Sequence, residues 1–271
     1  ADAVAAAAAG RGDGSPAAGA PDAAPRDEPE RGEGEHVVLF YCFREVDDPA
    51  AECARQTAQC ESRGLLGRLL VASEGINGTL AAQTWEAMRG YVQFMCGDPV
   101  WRMRPGDFKH SRGGSACQLV FPDLRVRQVK ELVGTGGLFA DIPVDETGVG
   151  LLAPQQFHQE VQQLLEKQEH QQRHGPGAGE VDTVLLDVRN HIEYSIGHFE
   201  GATNPETRVF SQFPAYVRKI LPQLRGKKVL MYCTGGIRCE KASAYIRREL
   251  HRSGDAGAAE RVQHLHGGIH K

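Results

Sequence analysis

The stretch MYCTGGIRCEKAS, Met231 to Ser243, places a cysteine, two glycines, an arginine and a second cysteine between positions 233 and 239. KVLMYC reads as a buried strand that ends in this motif, and CEKASAYIRREL reads as the helix that follows it. Cys233 therefore stands at the carboxyl end of a strand, directly before a helix, where open α/β sheets bind ligands. Upstream, TVLLDVR (183–189) is a second continuous apolar run, and RVQHLH (261–266) is a shorter third. Helical patterns lie between them, one of them FPAYVRKILPQLRGK (213–227), expected to be interrupted near Pro222. Apolar strands alternating with helices predict a parallel sheet covered on both faces. The second half of the chain, from about Leu151 to Lys271, is expected to be α/β.

The first half reads differently. HVVLFYCF (36–43) is a strand, and Asp48 followed by Pro49 opens a helix that Gly64 closes. GRLLVASEGINGTLAA supplies two strands around a polar turn, and QTWEAMRGYVQFMCGD an amphipathic helix. Extended segments follow as far as Leu132. The order β-α-β-β-α-β predicts a ferredoxin-like (acylphosphatase-like) α+β domain over 36–135. Residues 136–180 are expected to be a linker carrying one helix, and 181–271 the α/β domain proper, which stops short of a closing helix at GGIHK.

Residues 1–35 hold eight acids and three bases and are otherwise almost all Ala, Gly and Pro. Such a segment buries too little apolar area to offset the entropy of ordering, so a disordered tail is expected. It accounts for more than the whole formal charge of −4, and the remaining 236 residues come to +1. No apolar run approaches the roughly 18 residues of a membrane span, and no secretory h-region is present. Seven cysteines without C-x2-C spacing suit a reducing compartment and do not suggest a metal site. Cys42, Cys53, Cys60, Cys96 and Cys117 are expected to be small buried hydrophobes. A cytoplasmic protein that does not enter the membrane is expected.

The motif itself points to a nucleophile. Thr234, Gly235, Gly236, Ile237 and Arg238 form a loop whose N–H groups, at a helix start, make a cradle for an anion. With Arg238 and Lys241 nearby, the Cys233 pKa should fall, and the thiolate is the reactive form. Cys239 is placed either to resolve an oxidised Cys233 as a disulfide or to pack behind the loop. Packing is the expectation, with the helix turning that side chain away.

Cys233 to Arg238 is C-x4-R, one residue shorter than the C-x5-R loop of cysteine phosphatases. A ring this short suits a single large atom carried on the cysteine, a persulfide sulfur. Together with LLDVRNHIEYSIGHFEGATN, it resembles the rhodanese sulfurtransferases. That likeness makes Asp187 and Arg189 structural supports of the loop and leaves His198 packed in a turn. GRLLVASEGINGTLAA combined with CTGGIRCEKAS is similar, more specifically, to the rhodanese-fold tRNA uridine hydroxylase family. This resemblance implies modification of the wobble uridine of tRNA with Cys233 required. Sulfur transfer through a Cys233 persulfide, from a small anionic donor such as thiosulfate, is the alternative enzyme reading. A non-catalytic rhodanese scaffold is the third. No flavin fingerprint, haem signature or iron triad is legible, so no cofactor is assigned.

Charge suits an anionic substrate. Ten Lys or Arg against two acids lie between Ala215 and Arg252. Seven bases lie between Trp101 and Lys130, with Trp101, Phe108 and Phe121 among them. Arg102, Arg104, Lys109, Arg125 and Arg127 are the candidate RNA contacts in that second stripe.

Overall fold

The computed structural model of the protein describes residues 35–113, 120–175 and 181–270. The tail reading for residues 1–34 and the reading of Cys117 lie outside them. Glu35, counted above with the tail, instead opens the first strand and is buried.

The first half contains β1 (Glu35–Phe43), α1 (Pro49–Glu61), β2 (Leu66–Ala72), β3 (Gly75–Ala82), α2 (Trp85–Gly97), β4 (Lys109–Gly113) and β5 (Leu124–Gln128). Local chemistry sets the helix starts. The Asp48 carboxylate accepts from the N–H groups of Ala50 and Ala51, with Pro49 in the first turn, and Thr84 caps α2 through the Ala87 N–H. The sheet order is β4-β1-β3-β2-β5, with β5 parallel to β2 and the other pairs antiparallel. The first four strands form the ferredoxin-like pattern, and β5 extends it at one edge.

Strand alternation sends Val38, Phe40, Leu69, Val71, Ile76 and Leu80 to one face, where Met88, Tyr91 and Met95 of α2 and Cys60 of α1 close the core. The residues between them, Leu39, Tyr41, Arg68, Leu70, Asn77 and Thr79, point to the other face. Neither α1 nor α2 lies on that face.

The second half has β6 (Leu151–Leu152), α3 (Pro154–His174), β7 (Thr183–Asp187), α4 (His191–Ile196), β8 (Ala202–Thr203), α5 (Phe213–Leu224), β9 (Lys228–Tyr232), α6 (Ile237–Arg252), α7 (Ala258–Arg261) and β10 (Val262–Leu265). Its sheet is wholly parallel, in the order β6-β10-β9-β7-β8. Val229 and Met231 of β9 face α5 and α6, while Leu230 and Tyr232 face α3. That is a rhodanese arrangement, a parallel sheet with helices on both sides.

Three expectations change. The helix taken as linker, α3, is part of this second unit: Phe157, Val161 and Leu164 are buried against Leu185, Leu230 and Tyr232. Phe139 and Ile142 of the preceding connector also sit in its core. A linker reading failed there because α3 is mostly Gln, Glu and His, so its narrow apolar stripe was hard to see. Finally, α5 is not interrupted at Pro222. The proline falls in its last turn and the helix ends two residues later, so a single lost hydrogen bond is tolerated.

Candidate active site

Cys233 follows β9 directly and is fully buried. The chain turns at Gly236 (φ +97°), which precedes the first residue of α6 and donates its N–H to the Cys233 Sγ at 3.1 Å. Burial alone would raise the thiol pKa. The Cys239 thiol, the Arg238 charge and the N–H groups of Cys239 and Gly236 outweigh it and bring the pKa down to about 6. Cys233 is therefore mostly thiolate at neutral pH.

The Cys239 side chain does not turn away, as expected from the sequence, but is fully buried beside Cys233 and helps to hold its pKa down. It is the third residue of α6, and first-turn side chains of a helix tilt back toward its N-terminus. Its own pKa is pushed well up, first by burial and then by the Cys233 thiolate. Absorbance of the thiolate, taken as wild type minus Cys233→Ser, should titrate with a midpoint near pH 6. Cys239→Ala should move that midpoint upward, whereas Cys239→Ser keeps a donor and should move it less. A wild-type midpoint near the roughly 8.5 of a free thiol would overturn the assignment.

Arg238 is not an open anion anchor. Its guanidinium makes a two-pronged pair with Glu193, Nη1 to Oε2 at 2.8 Å and Nη2 to Oε1 at 2.7 Å, and also donates to Thr234 Oγ1. The Thr234 hydroxyl in turn donates to Glu193 at 2.8 Å. Burial acts to raise the Glu193 pKa, but Arg238, the Asn190 N–H and Thr234 hold it at about 2. Glu193 was missed from the sequence. Its one local signal is the capping box N-x-x-E at Asn190, which fixes the start of α4 and so aims the carboxylate.

Beneath the loop, Asp187 is buried and accepts from Arg189 Nε (2.9 Å) and Nη2 (2.7 Å), as well as from the Tyr232 hydroxyl at 2.8 Å. Arg189 Nη2 also reaches the Gly197 carbonyl at 2.5 Å. The pair ties β7, the turn after α4 and the residue preceding Cys233 into one support. His198 is exposed and stacks on Tyr194, with 3.7 Å between ring centroids.

The largest departure from the sequence reading lies above the loop. The face of the first sheet turned away from α1 and α2 covers it. A Cβ on Gly235 would come within 2.7 Å of Leu39 Cδ2, and one on Gly236 within 2.7 Å of the Tyr41 hydroxyl. A side chain at 235 would have to push Leu39 aside, whereas position 236 is reserved for glycine by its φ as well as by Tyr41. Tyr41 donates to Glu240 at 3.1 Å, and the Gly148 N–H meets the same carboxylate. His264, fully buried, lies 3.6 Å from Glu240 without a hydrogen bond.

Lys241 supplies no charge to the cradle. It crosses to the first domain, pairing with Glu74 at 2.7 Å, donating to the Ile142 carbonyl at 3.0 Å and lying 5.2 Å from the Phe43 ring. The last described residues close the remaining side, with the Ile269 N–H donating to the Cys233 carbonyl and His270 to that of Thr234.

The candidate RNA contacts divide. Trp101 and Phe108 belong to the hydrophobic core and offer no stacking surface. Lys109 is buried beside the Tyr41 ring, at 4.6 Å. Arg102 and Arg104 are exposed in the segment between α2 and β4, where the Trp101 indole donates to Glu52 of α1. Arg125 and Arg127 stand exposed on the opposite edge strand, β5, with their side chains on the same face as Leu39 and Tyr41. The linear stripe is therefore broken up: Lys109 on β4 and Arg125 and Arg127 on β5 lie at opposite edges of the sheet, and Arg102 and Arg104 lie in a connection beside α1.

Two family models match this chain: the UPF0176 acylphosphatase like domain over residues 35–132 and the rhodanese-like domain over 158–271. Among curated proteins, one from Bacillus pumilus named tRNA uridine(34) hydroxylase is 35% identical over 234 residues, 86% of this chain and 62% of that protein. Proteins of the same name from Enterococcus faecalis and Bacillus mycoides are 36% and 37% identical over 233 residues, 86% of this chain in each case, and 64% and 63% of their own lengths. The chain thus spans less than two thirds of the relatives it matches.

Proposed function

We propose that this chain, which matches the UPF0176 acylphosphatase-like and rhodanese-like domain models in turn, modifies the wobble uridine of tRNA, in the cytoplasm, with Cys233 as the reacting group. The observation that carries this reading is a buried thiolate with a pKa of about 6, held at a helix start under a sheet face of the first domain. A nucleophile ionised at neutral pH is what attack on an electron-poor ring requires. A retired scaffold has no need of it. No helix among the described residues is long and apolar enough to cross a membrane.

Hydroxylation removes electrons from the ring, so an oxidant has to be supplied from outside the groups described. What the chain contributes is the thiolate, the Cys239 and N–H donors that stabilise it, and the Glu193–Arg238 strut that keeps the loop in shape. Mass spectrometry of tRNA nucleosides tests the reading. Cells lacking the protein should accumulate unmodified wobble uridine, and the wild-type gene should restore the modified nucleoside. An unchanged nucleoside profile, together with a Cys233 persulfide formed from thiosulfate, would favour sulfur transfer instead. Such a persulfide has a physical basis in the short Cys233–Arg238 ring.

A further inference from the structure

The face of the first sheet turned away from α1 and α2 has its own pattern. Strand register places Leu39, Thr79, Arg68 and Arg125 in one row across β1, β3, β2 and β5, and Tyr41, Asn77, Leu70 and Arg127 in the next. The Leu39 and Tyr41 end of both rows lies on the Cys233 loop. With neighbouring strands roughly 4.8 Å apart, Arg68 stands about 10 Å and Arg125 about 14 Å from Leu39. Arg68 and Arg125 share a single carboxylate, Asp123, at 2.6 and 2.7 Å. Arg127 is exposed and pairs with none of the described residues. Arg68 and Arg125 thus have one carboxylate between them. Phe121, half-buried, lies under Arg68, with 5.5 Å from the guanidinium to the ring centroid.

We propose that this face, with Arg125 and Arg127 as phosphate contacts and Phe121 backed by Arg68 as a stacking platform, holds the single-stranded anticodon loop and leads its base along the rows to Cys233. The proposal rests on the tRNA reading above and deepens it. Cationic side chains that track a backbone, beside one aromatic for an unstacked base, are how proteins hold single-stranded RNA. A small anionic donor such as thiosulfate would need neither the aromatic nor a surface this far from the loop. Arg102 and Arg104, equally basic in sequence, lie in the connection between α2 and β4, outside both rows, and take no part.

The probe is an anticodon stem-loop RNA, titrated at several salt concentrations against the full chain. The double variant R125Q/R127Q removes two phosphate contacts. Its affinity should fall, and the slope of log affinity against log salt should become shallower by about 1.4. Phe121→Ala should weaken binding roughly 5- to 150-fold with the slope unchanged, since it removes stacking and no charge. R102Q/R104Q should bind like the parent. A Cys233 titration still centred near pH 6 in each variant shows that the second domain and its loop are intact.

The assignment falls if R125Q/R127Q binds like the parent at every salt concentration, or if R102Q/R104Q loses as much. It falls equally if the wild type does not bind the stem-loop. Normal binding and the expected variant losses, with nucleosides unchanged in cells, would keep the surface and remove the reaction.

Discussion

Cys233→Ser should abolish wobble-uridine modification, with a loss of about 10³-fold or more, and leave the fold in place. Serine is close in size to cysteine, and its oxygen can still accept the Gly236 N–H that now meets the sulfur. A hydroxyl, however, keeps its proton at any pH at which the protein is folded, so the charge that makes position 233 reactive disappears. Binding should survive, because the proposed RNA contacts lie on another domain. Single-turnover nucleoside analysis, with affinity for the stem-loop measured in parallel, separates the two. A serine variant that keeps more than a tenth of the parent rate would exclude Cys233 as the reacting group.

Cutting the ion pair that joins the domains should be the most destabilising change at the seam. Lys241 is nearly inaccessible, and the Glu74 side chain is 17% exposed. Glu74→Gln leaves the ammonium with the Ile142 carbonyl and the Phe43 ring, and an uncompensated buried charge of this kind costs about 3–5 kcal/mol. Thermal melting should report it as a fall in Tm. Iodoacetamide should also alkylate Cys233 faster, since Leu39 and Tyr41 must move off the loop before any reagent arrives. The double variant Glu74→Leu with Lys241→Met replaces the pair by apolar groups and should recover much of the loss. If Glu74→Gln melts with the parent and Cys233 reacts no faster, the pair does not hold the seam.

Much of the molecule was legible from short-range chemistry. Asp48 and Pro49 announce α1, alternation in β1 separates Phe40 from Leu39, and Asp187 and Arg189 are close enough in sequence to meet at a strand end. The Cys233 loop was readable for the same reason, since strand tip, glycines and helix start are contiguous. Each of these is settled by residues within about one turn or one pleat of each other. The partners of the site are not. Glu193 is 45 residues from Arg238, and Tyr41 is 199 from Glu240. The basic stripe of the first domain looked continuous because β4 and β5 are close in the chain. In space, β1, β3 and β2 intervene. Composition and periodicity determine which face of a strand or helix is apolar. Which sheet face settles on which loop depends on sheet register and domain docking, and those decide where each charge is buried and whose carboxylate it meets.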